Sequence, residues 1–274
     1  MAVFKHDEDG NPYEPATRYS DISFIEGFNK LKEIHLPYMN AESFISLSTL
    51  KNIEIINLAK SNFQDTTILK GLDKLKILNL SDTEIKEING LQYLRCLEDV
   101  NLSWNLNLYD ISPLSSIHGI KKLDLSNTKS DILSPLSNLK SLTFLSLKGI
   151  RNRNHGVIKW DEWLTDEEVE SIFGWCLNIE SIGNLSELIE LSLAETDVED
   201  FSPISNLHKL ETLDLSMMHL KNLDFLVNMT NLKILYLNAI TGLTKPYIDD
   251  FIRRNKNIEI EYWLAETNED GYSV

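Results

Sequence analysis

The chain has 274 residues, of which 42% are hydrophobic and 25% are charged, a composition that excludes a disordered or fibrous protein. Its 42 acidic and 26 basic residues give a net charge of −16, which disfavours nucleic acid and anionic membranes as ligands. This charge favours a basic protein as partner, although acidity also serves solubility. We find no basic start followed by an apolar run and no span of about 18 apolar residues. We therefore expect a cytoplasmic protein without membrane insertion, unless a leader precedes this sequence.

A leucine recurs at nearly constant intervals, in segments of the form LxxLxxLxLxx(T/N). The steps are 22 residues, except for one of 23 and one of 46. The anchor leucines are Leu36, Leu58, Leu80, Leu102, Leu125, Leu147, Leu193, Leu215 and Leu237. Apolar residues alternate before each anchor, which predicts a short strand. One coil cannot bury its leucine edge alone, so the coils must stack.

The second half of several repeats contains a Ser-Pro pair, at 112–113, 134–135 and 202–203. Proline suits the first turn of a helix because it lacks the amide that would go unpaired there. We expect the serine to cap the free amides. The pairs therefore predict a tight helical turn opposite each strand.

These segments resemble the 22-residue repeats of SDS22-like and internalin-type leucine-rich-repeat proteins, over about residues 22 to 240. The resemblance implies an α/β fold: a right-handed solenoid with a concave parallel β-sheet, short 3₁₀ turns on the convex side and capped ends. The polar residue expected three positions after the anchor is kept at Thr83, Asn105, Thr128 and Thr196. It is replaced by Met39, Ile150, Met218 and Ile240, so we expect the terminal and interrupted coils to be less regular.

We predict one domain over residues 1–274. In chain order it comprises an amino-terminal cap (1–21), repeats (22–150), an insertion (151–174), repeats (175–240) and a carboxyl-terminal cap and tail (241–274). Within the last part, Thr244-Lys245-Pro246 predicts the start of a short helix, and alternation at Ile258, Ile260 and Tyr262 predicts a final strand.

The step of 46 residues contains one regular repeat and 24 extra residues. A capping box at 165–168 predicts a short helix over 166–174 inside this insertion. Trp160 and Trp163 precede that helix. Tryptophan is favoured at interface centres and is also used to pin an irregular loop to its scaffold, so both roles stay open.

On each strand, the residues between the core positions face the concavity. We expect the asparagines just before the anchors, Asn57, Asn79 and Asn101, to bond sideways as a ladder. Apolar and acidic side chains on this face suit a protein interface, in which the carboxylates meet Lys or Arg; the alternative is that they are only solvated surface. The candidate binding residues are Tyr38, Ile55, Ile77, Asp82, Asp99, Trp104, Asp124, Phe144, Glu195, Asp214, Met217 and Tyr236, together with Trp160 and Trp163 in the insertion.

Motifs of catalysis and metal binding are missing from the sequence. It has no glycine-rich phosphate loop, GxSxG elbow or HExxH helix. Cys96 and Cys176 lack metal-ligand spacing and are interpreted as ordinary small apolar residues. Asp7 and Asp9 are not followed by the glycine and glutamate of a calcium loop. We expect no enzyme, cofactor or metal.

The sequence favours a non-catalytic protein-binding module that uses its concave face and its insertion. One concrete form is an acidic cytosolic inhibitor, of the immunity type, for a basic partner. The resemblance leaves two alternatives open: an internalin-like surface adhesin and an SDS22-like regulatory subunit of a phosphatase.

Overall fold

The structure, a computed structural model, describes residues 21–150 and 176–264. In these two stretches, ten strands form one parallel sheet in chain order. The strands are β1 (Glu33–His35), β2 (Ile55–Asn57), β3 (Ile77–Asn79), β4 (Asp99–Asn101), β5 (Lys122–Asp124), β6 (Phe144–Ser146), β7 (Glu190–Ser192), β8 (Thr212–Asp214), β9 (Ile234–Ile240) and β10 (Glu259–Leu264). Each coil therefore stacks on the coil before it, as the repeat predicts.

The core lies on one side of this sheet. Each strand from β1 to β8 buries its middle residue, such as Leu78 in β3 or Leu123 in β5. The anchor leucine, which follows the strand in the coils of β1 to β8 and lies within β9 in the last, is fully buried in every coil but the first, where Leu36 is half-buried. The predicted alternation is confirmed, and the exposed side chains of the strands are held on the opposite side, the concave face.

Short 3₁₀ turns lie opposite the strands. They span Ser23–Ile25, Ile45–Thr49, Thr66–Leu69, Leu91–Tyr93, Ser112–Ser116, Ser134–Asn138, Glu180–Asn184, Ser202–Asn206 and Asp224–Asn228. The expectation that serine caps these turns is wrong, because Ser112 and Ser202 are the first residues inside them. At two of the three Ser-Pro turns an aspartate two positions earlier bonds the first amide: the carboxylate of Asp110 accepts from the amide of Ser112 at 2.8 Å, and Asp200 does the same for Ser202 at 2.8 Å. The turn that begins at Ser134 has Ile132 at that position and lacks this bond.

The polar residue three positions after the anchor satisfies backbone groups, as expected. The hydroxyls of Thr83, Thr128 and Thr196 are buried and donate to the carbonyl of their own anchor at 2.8, 2.8 and 2.6 Å. Each hydrogen bond closes the turn that follows the strand. The buried anchor carbonyl therefore has a partner within its own coil and needs no water molecule.

The long step between anchors does not interrupt the sheet. Phe144 of β6 pairs directly with Glu190 of β7 in the same register as the other strands. The predicted insertion at 151–174, with Trp160, Trp163 and its helix, lies outside the described residues, as do residues 1–20 of the predicted amino-terminal cap and the tail from 265.

The predicted helix and strand that follow the last repeat are both present. The helix α1 spans Lys245–Arg254 and buries Ile248 against the core. The hydroxyl oxygen of Tyr247 accepts a hydrogen bond from the amide of Leu223 at 3.0 Å, which ties α1 to the last coil. Strand β10 then pairs with β9 and extends the sheet.

Candidate functional site

The concave face carries two rows of side chains across the strands. The first row contains the residue at the start of each strand, so that Ile55, Ile77, Asp99, Lys122 and Phe144 lie side by side. The second row contains the third strand residue and includes the pairs Asn101–Asp124 and Asp214–Tyr236. We call them the strand rows; they bring seven of the candidate binding residues onto one surface.

The expected sideways ladder of asparagines is wrong. The side-chain oxygen of Asn79 accepts a hydrogen bond from the amide of Ser81, two residues along its own chain, at 3.0 Å. The same bond is made by Asn57, Asn101, Asp124 and Asp214. The strand ends at this position, so the nearest free donor belongs to the following turn and not to the next strand.

A third row stands just beyond the strands, two positions after each anchor. All nine of its residues have a positive φ, between 54° and 62°. They are Tyr38, Lys60, Asp82, Trp104, Asn127, Gly149, Glu195, Met217 and Ala239. We call this row the turn column. The sequence places these residues on an extension of the strand, whereas in the structure the first eight belong to the turn at its end, and Ala239 lies within β9.

Three residues of the turn column are costly for the fold. A left-handed backbone costs an ordinary L-residue about 1–2 kcal/mol, and only Gly, Asn and Asp adopt it readily. Tyr38, Trp104 and Met217 adopt it and are also 56–58% exposed to solvent. Neither the backbone preference nor the hydrophobic effect accounts for these side chains, so they are the strongest candidates for partner contact.

The carboxyl-terminal end of the concave face forms a shallow hollow of about 360 Å³. Asp214, Met217 and Tyr236, all candidates from the sequence, line it together with Lys148 and Trp263. Sequence reasoning missed Trp263, which is 58% exposed. The signal was present in the alternation of β10: because Tyr262 and Leu264 are turned toward the core, Trp263 must face the other way.

The first strand row contains a carboxylate in a poor environment. Burial raises the pKa of Asp99 above its ordinary value, and the charge of Lys122 only partly opposes this. On the other side of Asp99 lies Ile77, which offers no compensating charge. A cation from outside the chain would stabilise this ionised carboxylate.

A charged row at the opposite end of the strands was also missed. One residue before each of the first five strands, lysine and glutamate alternate, at Lys32, Glu54, Lys76, Glu98 and Lys121. Hydrogen bonds and charge from Lys32 and Lys76 lower the pKa of Glu54 to about 2, and Lys121 pairs with Glu98 at 2.7 Å. We call this row the charge ladder. Its signal was the alternating charge at the repeat spacing.

The described residues show little chemistry beyond these surfaces. Cys96 and Cys176 are exposed, so interpreting them as ordinary apolar residues was wrong. Within 21–150 and 176–264, no group of three or more His, Cys, Asp or Glu side chains is placed to hold a metal ion. No helix in those stretches is long and apolar enough to cross a membrane.

Solved structures with the same architecture decide the fold. An internalin (inlF) from Listeria monocytogenes superposes with a TM-score of 0.66 at 23% identity, over 86% of this chain and 62% of its own. A leucine-rich-repeat protein from Leptospira interrogans superposes with a TM-score of 0.66 at 19% identity, over 87% of this chain and 62% of its own. This chain has the leucine-rich-repeat fold.

A shorter leucine-rich-repeat neighbour agrees with this assignment. Internalin C2 from Listeria monocytogenes superposes with a TM-score of 0.58 at 22% identity, over 76% of this chain and 80% of its own. This chain covers less than two thirds of the length of inlF and of the Leptospira protein. No family model and no curated protein matches the sequence.

Proposed function

We propose that this leucine-rich-repeat chain is a non-catalytic module that binds another protein on its concave face, through the strand rows and the turn column. One observation supports the proposal most: Tyr38, Trp104 and Met217 are exposed in a backbone conformation that disfavours them. The rings of Tyr38 and Trp104 are large and stiff and supply interface area at low entropic cost, whereas the flexible side chain of Met217 adapts to the surface it meets.

The partner that we propose is a basic protein. Asp82, Asp99, Asp124 and Asp214 lie on the same surface as the exposed apolar residues, and the chain has a net charge of −16. Opposite charge would mainly raise the association rate and select the partner. An acidic cytosolic inhibitor of the immunity type is the concrete role we infer, with the insertion at 151–174 as a second contact.

A direct experiment uses the full chain as bait in a lysate of its source cells, followed by affinity measurements with the purified partner. We expect Trp104→Ala and Phe144→Ala to weaken binding by about tenfold or more each, as central aromatic residues do. Asp124→Asn removes the charge but keeps the oxygen that bonds Ser126, so it should slow association without unfolding the turn.

The matched controls lie on the convex side. Tyr93 and Val227 are exposed residues of two 3₁₀ turns, so Tyr93→Ala and Val227→Ala should leave the affinity unchanged. If the convex variants weaken binding and the concave variants do not, the proposed surface is wrong.

A second candidate function is an internalin-like surface protein, which the two internalin neighbours favour. It predicts an export leader and a wall or lipid anchor in the complete gene. It also predicts that antibodies against the chain label intact source cells, whereas the inhibitor role predicts labelling only after lysis.

A further inference from the structure

Two neighbouring coils place two carboxylates beside two exposed apolar side chains. Asp82 and Glu84 belong to the coil of β3, and Trp104 and Leu106 occupy the equivalent positions 22 residues later in the coil of β4. All four side chains are exposed, Trp104 and Leu106 to 56% each. We call this group the rim patch.

Buried hydrogen bonds hold the rim patch in place. Asn105, which is fully buried between Trp104 and Leu106, joins the two coils. Its side-chain oxygen accepts from the amides of Thr83 and Ile85 at 3.2 and 3.1 Å. Its side-chain nitrogen donates to the carbonyls of Leu80 and Leu102 at 2.9 and 2.8 Å. The backbone beneath the patch is therefore rigid, and a ligand finds it already ordered.

The backbone beneath the patch also departs from ordinary preference. Asp82, Glu84 and Trp104 all have positive φ, at 54°, 60° and 62°. Among the described residues, Glu84 is the one non-glycine residue with positive φ outside the turn column. The protein maintains this conformation while exposing an indole and an isobutyl group to water, a combination that a bound ligand would stabilise.

The chain itself shows what an aromatic ring of the turn column binds. Tyr38 lies at one end of the column. The ammonium group of Lys60, in the next coil, is 5.5 Å from the centre of the Tyr38 ring. Trp104 has Asp82 and Asn127 as its neighbours in the column, and neither is a cation. Two lysines of other coils already contact other rings: Lys60 lies over Tyr38, and Lys129 lies over the ring of Tyr109 at 5.6 Å.

We propose that the rim patch binds an arginine side chain, flanked by an apolar residue, on a protein partner. The guanidinium group stacks on the indole of Trp104 and donates to the carboxylates of Asp82 and Glu84, while the apolar neighbour covers Leu106. Within the described residues no side chain donates a hydrogen bond to either carboxylate, so both have free acceptors. This proposal rests on the proposed function and names the chemistry of the partner.

The test uses the full chain with nitrogen-15 in its tryptophan indoles, which gives five signals because the chain has five tryptophans. Trp104→Phe assigns the signal of Trp104. The probe is acetyl-Leu-Arg-Leu-amide, and the control probe has citrulline, which keeps the shape but not the charge. We expect the arginine probe to shift the Trp104 signal alone and to bind about fivefold more tightly than the citrulline probe.

Variants locate the interaction. The double variant Asp82→Asn, Glu84→Gln should weaken the arginine probe about fivefold and bring it to the citrulline level. Val227→Ala, an exposed residue of the convex 3₁₀ turn Asp224–Asn228, should leave the titration unchanged. Equal binding of both probes, or a Trp104 signal that does not move, overturns the proposal.

The failure of this proposal differs from the failure of the proposed function. If a captured partner loses affinity on Phe144→Ala but not on the rim-patch variants, the protein-binding function stands and the arginine site is wrong. If the arginine probe moves Trp104 but partner binding maps to the convex side, the arginine site stands and the proposed function is wrong.

Discussion

The two ends of the strands use their side chains in opposite ways. At the start of the strands, the lysines and glutamates of the charge ladder pair with one another across neighbouring coils. At the other end, the turn column holds nine residues in a left-handed conformation and leaves Tyr38, Trp104 and Met217 exposed. The charges at the first end are satisfied by one another. At the other end Glu195 pairs with Lys148 at 3.2 Å, but the apolar side chains stay exposed and Asp82 has no cationic partner among residues 21–150 and 176–264. This difference supports our proposal that a partner protein binds at the carboxyl-terminal end of the strands.

The largest effect should come from removing the buried bridge beneath the turn column. Asn105→Ala leaves two amides and two carbonyls without their side-chain partner, so we expect a loss of about 3 kcal/mol in the free energy of unfolding. Asn107→Ala, at an exposed position two residues away, should change it by less than about 0.5 kcal/mol. Urea unfolding measures both, and equal midpoints would mean that Asn105 does not hold the rim.

Substituting alanine by glycine should have an intermediate effect on the free energy of unfolding, with opposite signs inside and outside the turn column. Ala239 has a φ of 55°, so Ala239→Gly should raise the free energy of unfolding by about 0.5–1 kcal/mol. Ala59, one position after an anchor, is not among the positive-φ residues, and Ala59→Gly should lower it by about 0.5–1 kcal/mol. Two changes of the same sign would contradict the account of backbone strain in this column.

A smaller effect is expected between the two ends, at Asp99. Because its pKa is raised in the native state, ionisation of Asp99 destabilises the fold, and stability falls as pH rises from the ordinary carboxyl pKa through the raised one. Asp99→Asn should therefore stabilise the free protein at pH 7, by less than about 1 kcal/mol after solvent screening. The same variant should slow association with a basic partner. Thermal melts measure the stability, and association rates measure the effect on binding. If Asp99→Asn changes neither, Asp99 is not part of the binding surface.

Substitutions in the charge ladder should change the stability least at neutral pH. Their effect should appear in acid, where the glutamates of the ladder become protonated. The pKa of Glu54 is lowered from 4.5 to about 2, so its stabilisation is present above pH 4.5 and is lost as pH falls toward 2. Glu54→Gln should lose less stability over that range than the native chain. Glu42→Gln, which removes an exposed carboxylate outside the ladder, should follow the native acid profile. Identical profiles for all three proteins would exclude the ladder as a source of acid sensitivity.

Much of the architecture could be predicted because the repeat restates it in every coil. The anchors from Leu58 to Leu237 are buried, and the strands before them bury alternate residues. The helix after Thr244 and the alternation of β10 were equally legible, since capping and period-two patterns are local. Short-range patterns fail where the competing partner is close in the chain: the serines of the 3₁₀ turns and the asparagines before the anchors bond differently from expectation for this reason.

The sequence by itself determined the stacking of the coils, because an unpaired leucine edge has no other way to leave water. Only the tertiary structure decided which exposed residues are strained, since a backbone angle is set by the packing of each coil on the next. It also decided that Asn105 joins the coils beneath Trp104, and that, in the part of the chain that the structure describes, lysines pair with some carboxylates but not with Asp82. Contacts across coils depend on geometry that spacing along the chain does not contain.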